Sequence, residues 1–240
     1  MSRVAIIAAM AGELKPLVEG WKHERRDCVD IWRYRYDEGE WVAACAGAGQ
    51  AAATKAFREV EKDGAISFVI STGWAGALSE KLMPGKVYGV SGVIDALTGE
   101  RLHVTRWTEE RWLVTSPSVA DEHEKMRLAQ SYEASLVDME AAAIARLAQM
   151  RGIPFYCFKG ISDGYGDQLP DFNRFISPEG QFKLVPFILF ALVRPGCWSA
   201  LVRMGENSKR ASIGIAETTM DLLDERAYIR KRNGYPNHNG

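Results

Sequence analysis

Three stretches of this 240-residue chain set acidic side chains among small or apolar neighbours, where a carboxylate can act on a ligand. Glu13 stands a few residues beyond the apolar run Val4–Ala9. Asp138 and Glu140 flank Met139, where an apolar strand over Ser135–Met139 gives way to an alanine-rich helix over Glu140–Met150. Asp163, after Ser162, closes an apolar strand over Pro154–Ile161. A carboxylate at the mouth of a sheet can take a proton from water, or give one to a leaving group if burial raises its pKa. Each acid also has a plainer role. Glu13 suits the first turn of a helix, where negative charge favours the macrodipole. Ser162 or Asp163 can cap the next turn. Glu140 can open its helix, or share a strand face with Asp138, since side chains two apart project the same way. Spacing alone leaves these alternatives open.

Other chemistry is thinly represented. Gly47-Ala48-Gly49-Gln50-Ala51-Ala52 fits G-x-G-x-x-A between a strand and a helix, a dinucleotide-binding lookalike. The same small residues serve a tight turn, or offer backbone N–H groups to another ligand. The histidines, His23, His103, His123 and His238, form no ligand pattern, and no P-loop or G-x-S-x-G elbow is present. Cys28, Cys45, Cys157 and Cys197 make no C-x-x-C pair. Neither a metal nor another cofactor is implied.

The elements that must position these residues follow from hydrophobic periodicity. Val4–Ala9, Val42–Ala46, Ile66–Ser71 and Val87–Val93 read as strands, with weaker ones at Leu102–Val104 and Trp112–Thr115. Gly12–Val18, Gln50–Val60 and Asp121–Ser131 read as helices, and a Pro/Asp/Gly-rich loop after Asp163 leads to further helices. Alternating strands and helices make an α/β sandwich around a buried sheet. In such folds ligands sit outside the carboxyl ends of strands. Met10–Glu13, Gly47–Gly49, Gly73–Gly76, Asp138–Glu140 and Ser162–Asp163 all fall at such ends, and that convergence outweighs any single motif. Residues 1–233 are expected to form one domain, with Gly234–Gly240 a frayed polar tail.

Composition is that of a globular protein, 47% hydrophobic and 25% charged. A net charge of −1 exerts no general pull on nucleic acid, and the basic group Arg226, Arg230, Lys231 and Arg232 reads as solvated. The start, MSRVAIIAAM, lacks a signal-peptide layout, and the thiols read as reduced, so a cytoplasmic location is expected. Leu184–Val193, broken by Pro186, is too short to span a bilayer and suits a surface helix or an interface.

"IIAAMAGEL", "STGWAGAL", "VDMEAAAIA" and "KGISDGYGD" follow the order and approximate spacing of the nucleoside phosphorylase/nucleosidase superfamily, which the chain resembles from about Val4 to Phe175. The nearest branch looks like the methylthioadenosine/S-adenosylhomocysteine nucleosidases. The resemblance implies a three-layer sandwich with a central mixed, twisted sheet. It implies a nucleoside substrate, no metal and, commonly, a homodimer. By position, Glu13 matches the acid that activates water, and Asp163 matches the acid that protonates the purine at N7, with Ser162 beside it. Met139 and Glu140 match the pair that grips the ribose. Gly73, Trp74 and Ala75 match the loop near ribose and nucleophile, and Val119 and Ala120 the segment whose backbone reads adenine.

Phosphorylases of this superfamily hold phosphate with an arginine and a serine. Ser71 and Trp74 stand in those places, and Glu13 would repel phosphate, so hydrolysis is expected over phosphorolysis. Lys159 stands where an arginine is common, and "VTSPSVADEHEK" lacks the usual aromatic stacking residue. The shortened middle region and the V-D-M-E form resemble a hopanoid-associated branch, whose proposed substrate is adenosylhopane. The apolar stretch "FKLVPFILFALVRPGCWSALVRMG" then suits a lipid-like 5′ group or a membrane contact, or else a core or dimer-interface helix. A nucleoside-binding protein without activity is the remaining alternative.

Overall fold

The chain's first strand is apolar on both faces, and the computed structural model shows a different set of helices against each. Residues 2–36, 39–105, 110–168, 170–177, 180–183, 186–188, 190 and 194–233 are described, with side chains of the last helix as far as 225. The elements run β1 (Ser2–Ala8), α1 (Ala11–Leu14), β2 (Lys22–Arg26), β3 (Val29–Tyr36), β4 (Gly39–Cys45), α2 (Gln50–Glu61), β5 (Phe68–Ser71), β6 (Trp74–Ala77), β7 (Val87–Gly89) and β8 (Gly92–Asp95). Then come β9 (Arg101–His103), β10 (Trp112–Thr115), α3 (Glu122–Tyr132), β11 (Leu136–Asp138), α4 (Ala141–Arg151), β12 (Phe155–Asp163) and a long α5 (Trp198–Asn233).

One mixed sheet has the order β2-β3-β4-β1-β5-β12-β6-β11-β10-β8-β9, with β7 paired to β12. β1, β4, β5, β12 and β6 are parallel to their neighbours in this central run. The β6–β11 pair and the outer β2, β3 and β9 pairings are antiparallel. Ala5 and Ile7 of β1 join a core with Phe57 of α2 and Ile144 of α4. Val4 and Ile6 join another with Leu14 of α1 and Ile215 of α5. Burial on both faces explains why the central strands are continuous apolar runs rather than alternating ones. A third cluster sets Leu128 of α3 against Ile94, Val114 and Val137. The result is the expected three-layer α/β sandwich with a mixed sheet.

Local departures from regularity shape the end of the sheet that carries the acids. Val87–Val93 is two strands, not one: β7 pairs with β12 and β8 with β10. An apolar run cannot reveal such a change of partner. The helix expected over Gly12–Val18 is confined to Ala11–Leu14, with a turn beyond. The parallel β12–β6 register shifts between Ile161 and Asp163, a bulge beside the strand's carboxyl end. Bulges re-aim side chains, and Ser162 and Asp163, though consecutive, both face the same cavity.

Of the apolar stretch Leu184–Val193, residues 184, 185, 189 and 191–193 lie outside the described residues, as does the expected tail 234–240. No helix among the described residues is long and apolar enough to cross a membrane.

Candidate active site

Glu13 is 2% exposed. Its Oε2 accepts the backbone N–H groups of Ala9 and Met10, each at 2.8 Å, and its Oε1 that of Trp74 at 2.8 Å. The chain reaches this arrangement through Gly73, whose φ of 121° is a glycine conformation. A Cβ there would stand 2.9 Å from Glu13 Oε1. Burial pushes the Glu13 pKa above the usual carboxylate value, against the N–H donors of Trp74 and Met10 and the charge of Lys159. A fixed carboxylate of raised basicity is suited to taking a proton from water.

Asp138 and Glu140 part company. Asp138 closes β11, where the β10–β11 register sets it beside Thr115. Its Oδ1 accepts from Thr115 Oγ1 at 2.8 Å, and its Oδ2 from the Ala141 N–H at 2.9 Å and the Lys159 ammonium at 2.9 Å. Asp138 thus caps the start of α4 and neutralises a lysine. Glu140 lies beyond the strand, at the N-cap position of α4, but makes no capping bond with its side chain. Its Oε1 instead accepts the Gly49 N–H at 2.6 Å and its Oε2 that of Met139 at 3.2 Å. Burial, then the Asp138 charge, push Glu140 up to about 8. Desolvation works against the Lys159 ammonium, but Asp138 beside it leaves its pKa raised.

Asp163 Oδ1 accepts from Ser162 Oγ at 2.5 Å, and Ser162 Oγ also lies 3.3 Å from the Ala75 carbonyl. Asp163 Oδ2 is ion-paired with Lys125 of α3, which also donates to the Gly164 carbonyl at 2.7 Å. Sequence reasoning missed Lys125. It lies in the charged run Asp121–Lys125, which reads as a solvated helix start. Its signal was phase: Lys125 and Leu128 are the buried residues of α3, one helical turn apart.

One cavity of about 1240 Å³ is lined by Glu13, Glu140 and Asp163 together. Trp74, Ala75, Val119, Ala120, Met139 and Ser162 also line it, while Gly73 stands behind Glu13. The G-x-G segment contributes Ala48 to the wall and the Gly49 N–H to Glu140. The Val119 backbone is held by Asn173. Its N–H donates to Asn173 Oδ1 at 2.8 Å and its carbonyl accepts from Asn173 Nδ2 at 3.0 Å, so this backbone edge is already engaged. Much of the remaining cavity wall is apolar, with Phe172, Phe182, Phe187, Leu201, Met204 and Ile213, and it also carries Lys15, Glu19 and Lys209.

A family model described as the phosphorylase superfamily matches residues 3–118 and 108–179. The fold is shared with 5′-methylthioadenosine/S-adenosylhomocysteine nucleosidase from Helicobacter pylori, at 16% identity and a TM-score of 0.71, covering 94% of this chain and 99% of that one. Futalosine hydrolase of the same organism aligns at 16% identity and a TM-score of 0.71, covering 93% and 98%. The Neisseria meningitidis nucleosidase aligns at 19% identity and a TM-score of 0.69, covering 94% and 100%. No curated protein sequence matches the chain.

Proposed function

The chain belongs to the phosphorylase superfamily, and from that premise we propose that it hydrolyses the N-glycosidic bond of a purine nucleoside, an adenosine with an extended apolar 5′ group. The observation that carries this reading is the meeting of Glu13, Glu140 and Asp163, from three distant parts of the chain, on one cavity. Breaking the bond builds positive charge on the ribose and negative charge on the base. Asp163, with Ser162 beside it, delivers the proton to the base at N7. Glu13 takes a proton from the attacking water and sets a negative field beside the sugar. Glu140 and Met139 hold the ribose hydroxyls; a carboxyl with a pKa near 8 can donate to a hydroxyl as well as accept from one.

Water is favoured over phosphate by what surrounds Glu13. Ser71 is buried and neutral where a phosphate-binding arginine would be needed. The Trp74 indole is tied to α5 through Ser208 and Ser212. A phosphate anion there would face the Glu13 carboxylate, with no arginine among the described lining residues to hold it. The 5′ group is argued from size and polarity: small-molecule pockets span about 300–1,000 Å³, and this cavity exceeds them with an apolar extension. One relative, the Helicobacter pylori nucleosidase, holds 5′-methylthioadenosine in its active site. The apolar wall of this cavity suits a longer substituent, of the adenosylhopane type.

Adenine release from a series of 5′-alkylthioadenosines, with and without phosphate, tests the proposal. Release is expected without phosphate, with kcat/KM rising up to about fourfold per methylene from ~0.8 kcal/mol of burial. Release that strictly needs phosphate would make the reaction a phosphorolysis. Binding without release across the series would make the protein a nucleoside-binding module.

A further inference from the structure

We propose that Lys125 is the source of the proton that leaves with the base, acting through Asp163; this rests on the proposed cleavage of an N-glycosidic bond. Lys125 is 1% exposed. It occupies the inward stripe of α3 with Leu128, Ala129 and Tyr132, at i, i+3, i+4 and i+7, where an apolar residue is the rule. The solvent side of the same helix carries its own pair, Arg127 on Glu124. A buried ammonium is costly to desolvate, and here it is spent on Asp163 and the Gly164 carbonyl at the cavity wall. The neighbouring strand makes room for the pair. A Cβ on Gly76 would stand 3.1 Å from Asp163 Oδ2 and 3.2 Å from Lys125 Cε. Ser162, Asp163 and Lys125 form one linked polar cluster on the cavity wall.

The chemistry balances through this pair. As the C1′–N9 bond breaks, its electrons pass to the purine. N7 takes a proton from Asp163, and Asp163 takes one from the Lys125 ammonium. The oxygen of water bonds to C1′, and a water proton goes to Glu13. The turnover ends with a neutral amine and a protonated Glu13. Passage of that proton through solvent to Lys125 resets both, so nucleoside and water give base and sugar.

Arginine separates proton supply from mere charge balance, because it keeps the charge but cannot be deprotonated. Lys125→Arg and Lys125→Gln are compared with the wild type on a purine nucleoside and on 4-nitrophenyl riboside, whose leaving group departs without protonation. Both variants are expected to lose about 10²-fold or more in kcat on the purine nucleoside while staying within about threefold on the nitrophenyl substrate. Melting curves check folding. If the guanidinium lowers the melting temperature, the substrate ratio of Lys125→Gln decides. Purine turnover restored by a well-folded Lys125→Arg, or equal losses on both substrates, overturns the inference alone. A wild type silent on both substrates overturns the nucleosidase reading and this inference with it.

Discussion

Lys159–Asp138 and Lys125–Asp163 are both buried lysine–aspartate pairs, yet they are embedded differently. Around Lys159 every charge is answered from within the fold. Asp138 takes Thr115 Oγ1, the Ala141 N–H and the ammonium, and Lys159 also donates to the Thr72 carbonyl at 3.0 Å. The two side chains are 1% and 0% exposed. Around Lys125 the pair is part of the cavity wall, and the aspartate side chain keeps 8% exposure. The difference teaches what each lysine does to a proposed site acid. Lys159 neutralises Asp138, two positions from Glu140, and leaves Glu140 raised to about 8. Lys125 pairs directly with Asp163, the proposed proton donor. Asp138 also borders the cavity, but its carboxylate is covered, whereas that of Asp163 keeps an open edge.

Lys159→Met should break the closed pair and strand Asp138 in the interior, at a cost of about 3–5 kcal/mol, measured by denaturant unfolding. Adding Asp138→Asn should recover part of that loss. A Lys159→Met protein as stable as the wild type would erase the distinction. On the open side, Asp163→Asn should lower kcat for a purine nucleoside by about 10²–10⁴-fold and cost less stability than Lys159→Met, because the Asp163 side chain keeps 8% exposure on the cavity. Wild-type turnover in Asp163→Asn would remove it as proton donor.

How much of the fold and site is legible in the sequence depends on what each residue signals locally. The central strands announce themselves, because burial on both faces writes an unbroken apolar run. β2 and β3 do not. Val29 and Ile31 are their buried anchors, but Asp30, Trp32, Arg33 and Tyr34 interrupt them with residues that are only partly covered or exposed. β6, Trp-Ala-Gly-Ala, reads as a loop because its small residues make room for side chains from elsewhere. Glu13, Glu140 and Asp163 can be placed at strand ends and matched to a family pattern. Asp138 can be demoted only in part, since its partner Lys159 lies 21 positions on and the pairing needs the sheet. Lys125 and Asn173 are hidden for the same reason. Their partners, Asp163 and Val119, are tens of residues away, and nothing local separates a buried lysine on a charged helix from a solvated one.

The Glu140 side of the comparison has a pH signature. In the fold its carboxyl holds the proton up to about 8, whereas its ordinary value is 4.5. The unfolded chain therefore releases that proton first. The stability this group contributes is complete below about pH 4.5 and is lost as the pH rises towards about 8. Glu13 shifts in the same direction, so the discriminating measurement is the difference between wild type and Glu140→Gln. Unfolding free energies taken from pH 5 to 8 should decline less steeply in the variant. Parallel declines would show that burial and the Asp138 charge do not raise Glu140 in the fold.

The smallest expected effect comes from the residue that touches both the acid cluster and the apolar wall. Trp74 gives its backbone N–H to Glu13 and its indole N–H to the Ser208 carbonyl at 3.1 Å and Ser212 Oγ at 3.0 Å on α5. Ser212 in turn donates to the Gly12 carbonyl at 3.2 Å, closing a link from α5 back to the helix that carries Glu13. Trp74→Phe keeps the backbone donor and the ring but loses the indole bonds, for about 0.5–1.5 kcal/mol of stability. Chemistry at Glu13 should be nearly unaffected, with kcat within about threefold of wild type. The loss should appear instead as a higher KM for long 5′ substituents, since α5 carries Leu201, Met204 and Ile213 into the cavity wall. A fall in kcat with unchanged KM would mean that the indole anchor holds Glu13 rather than the apolar wall, and that the two regions act as one.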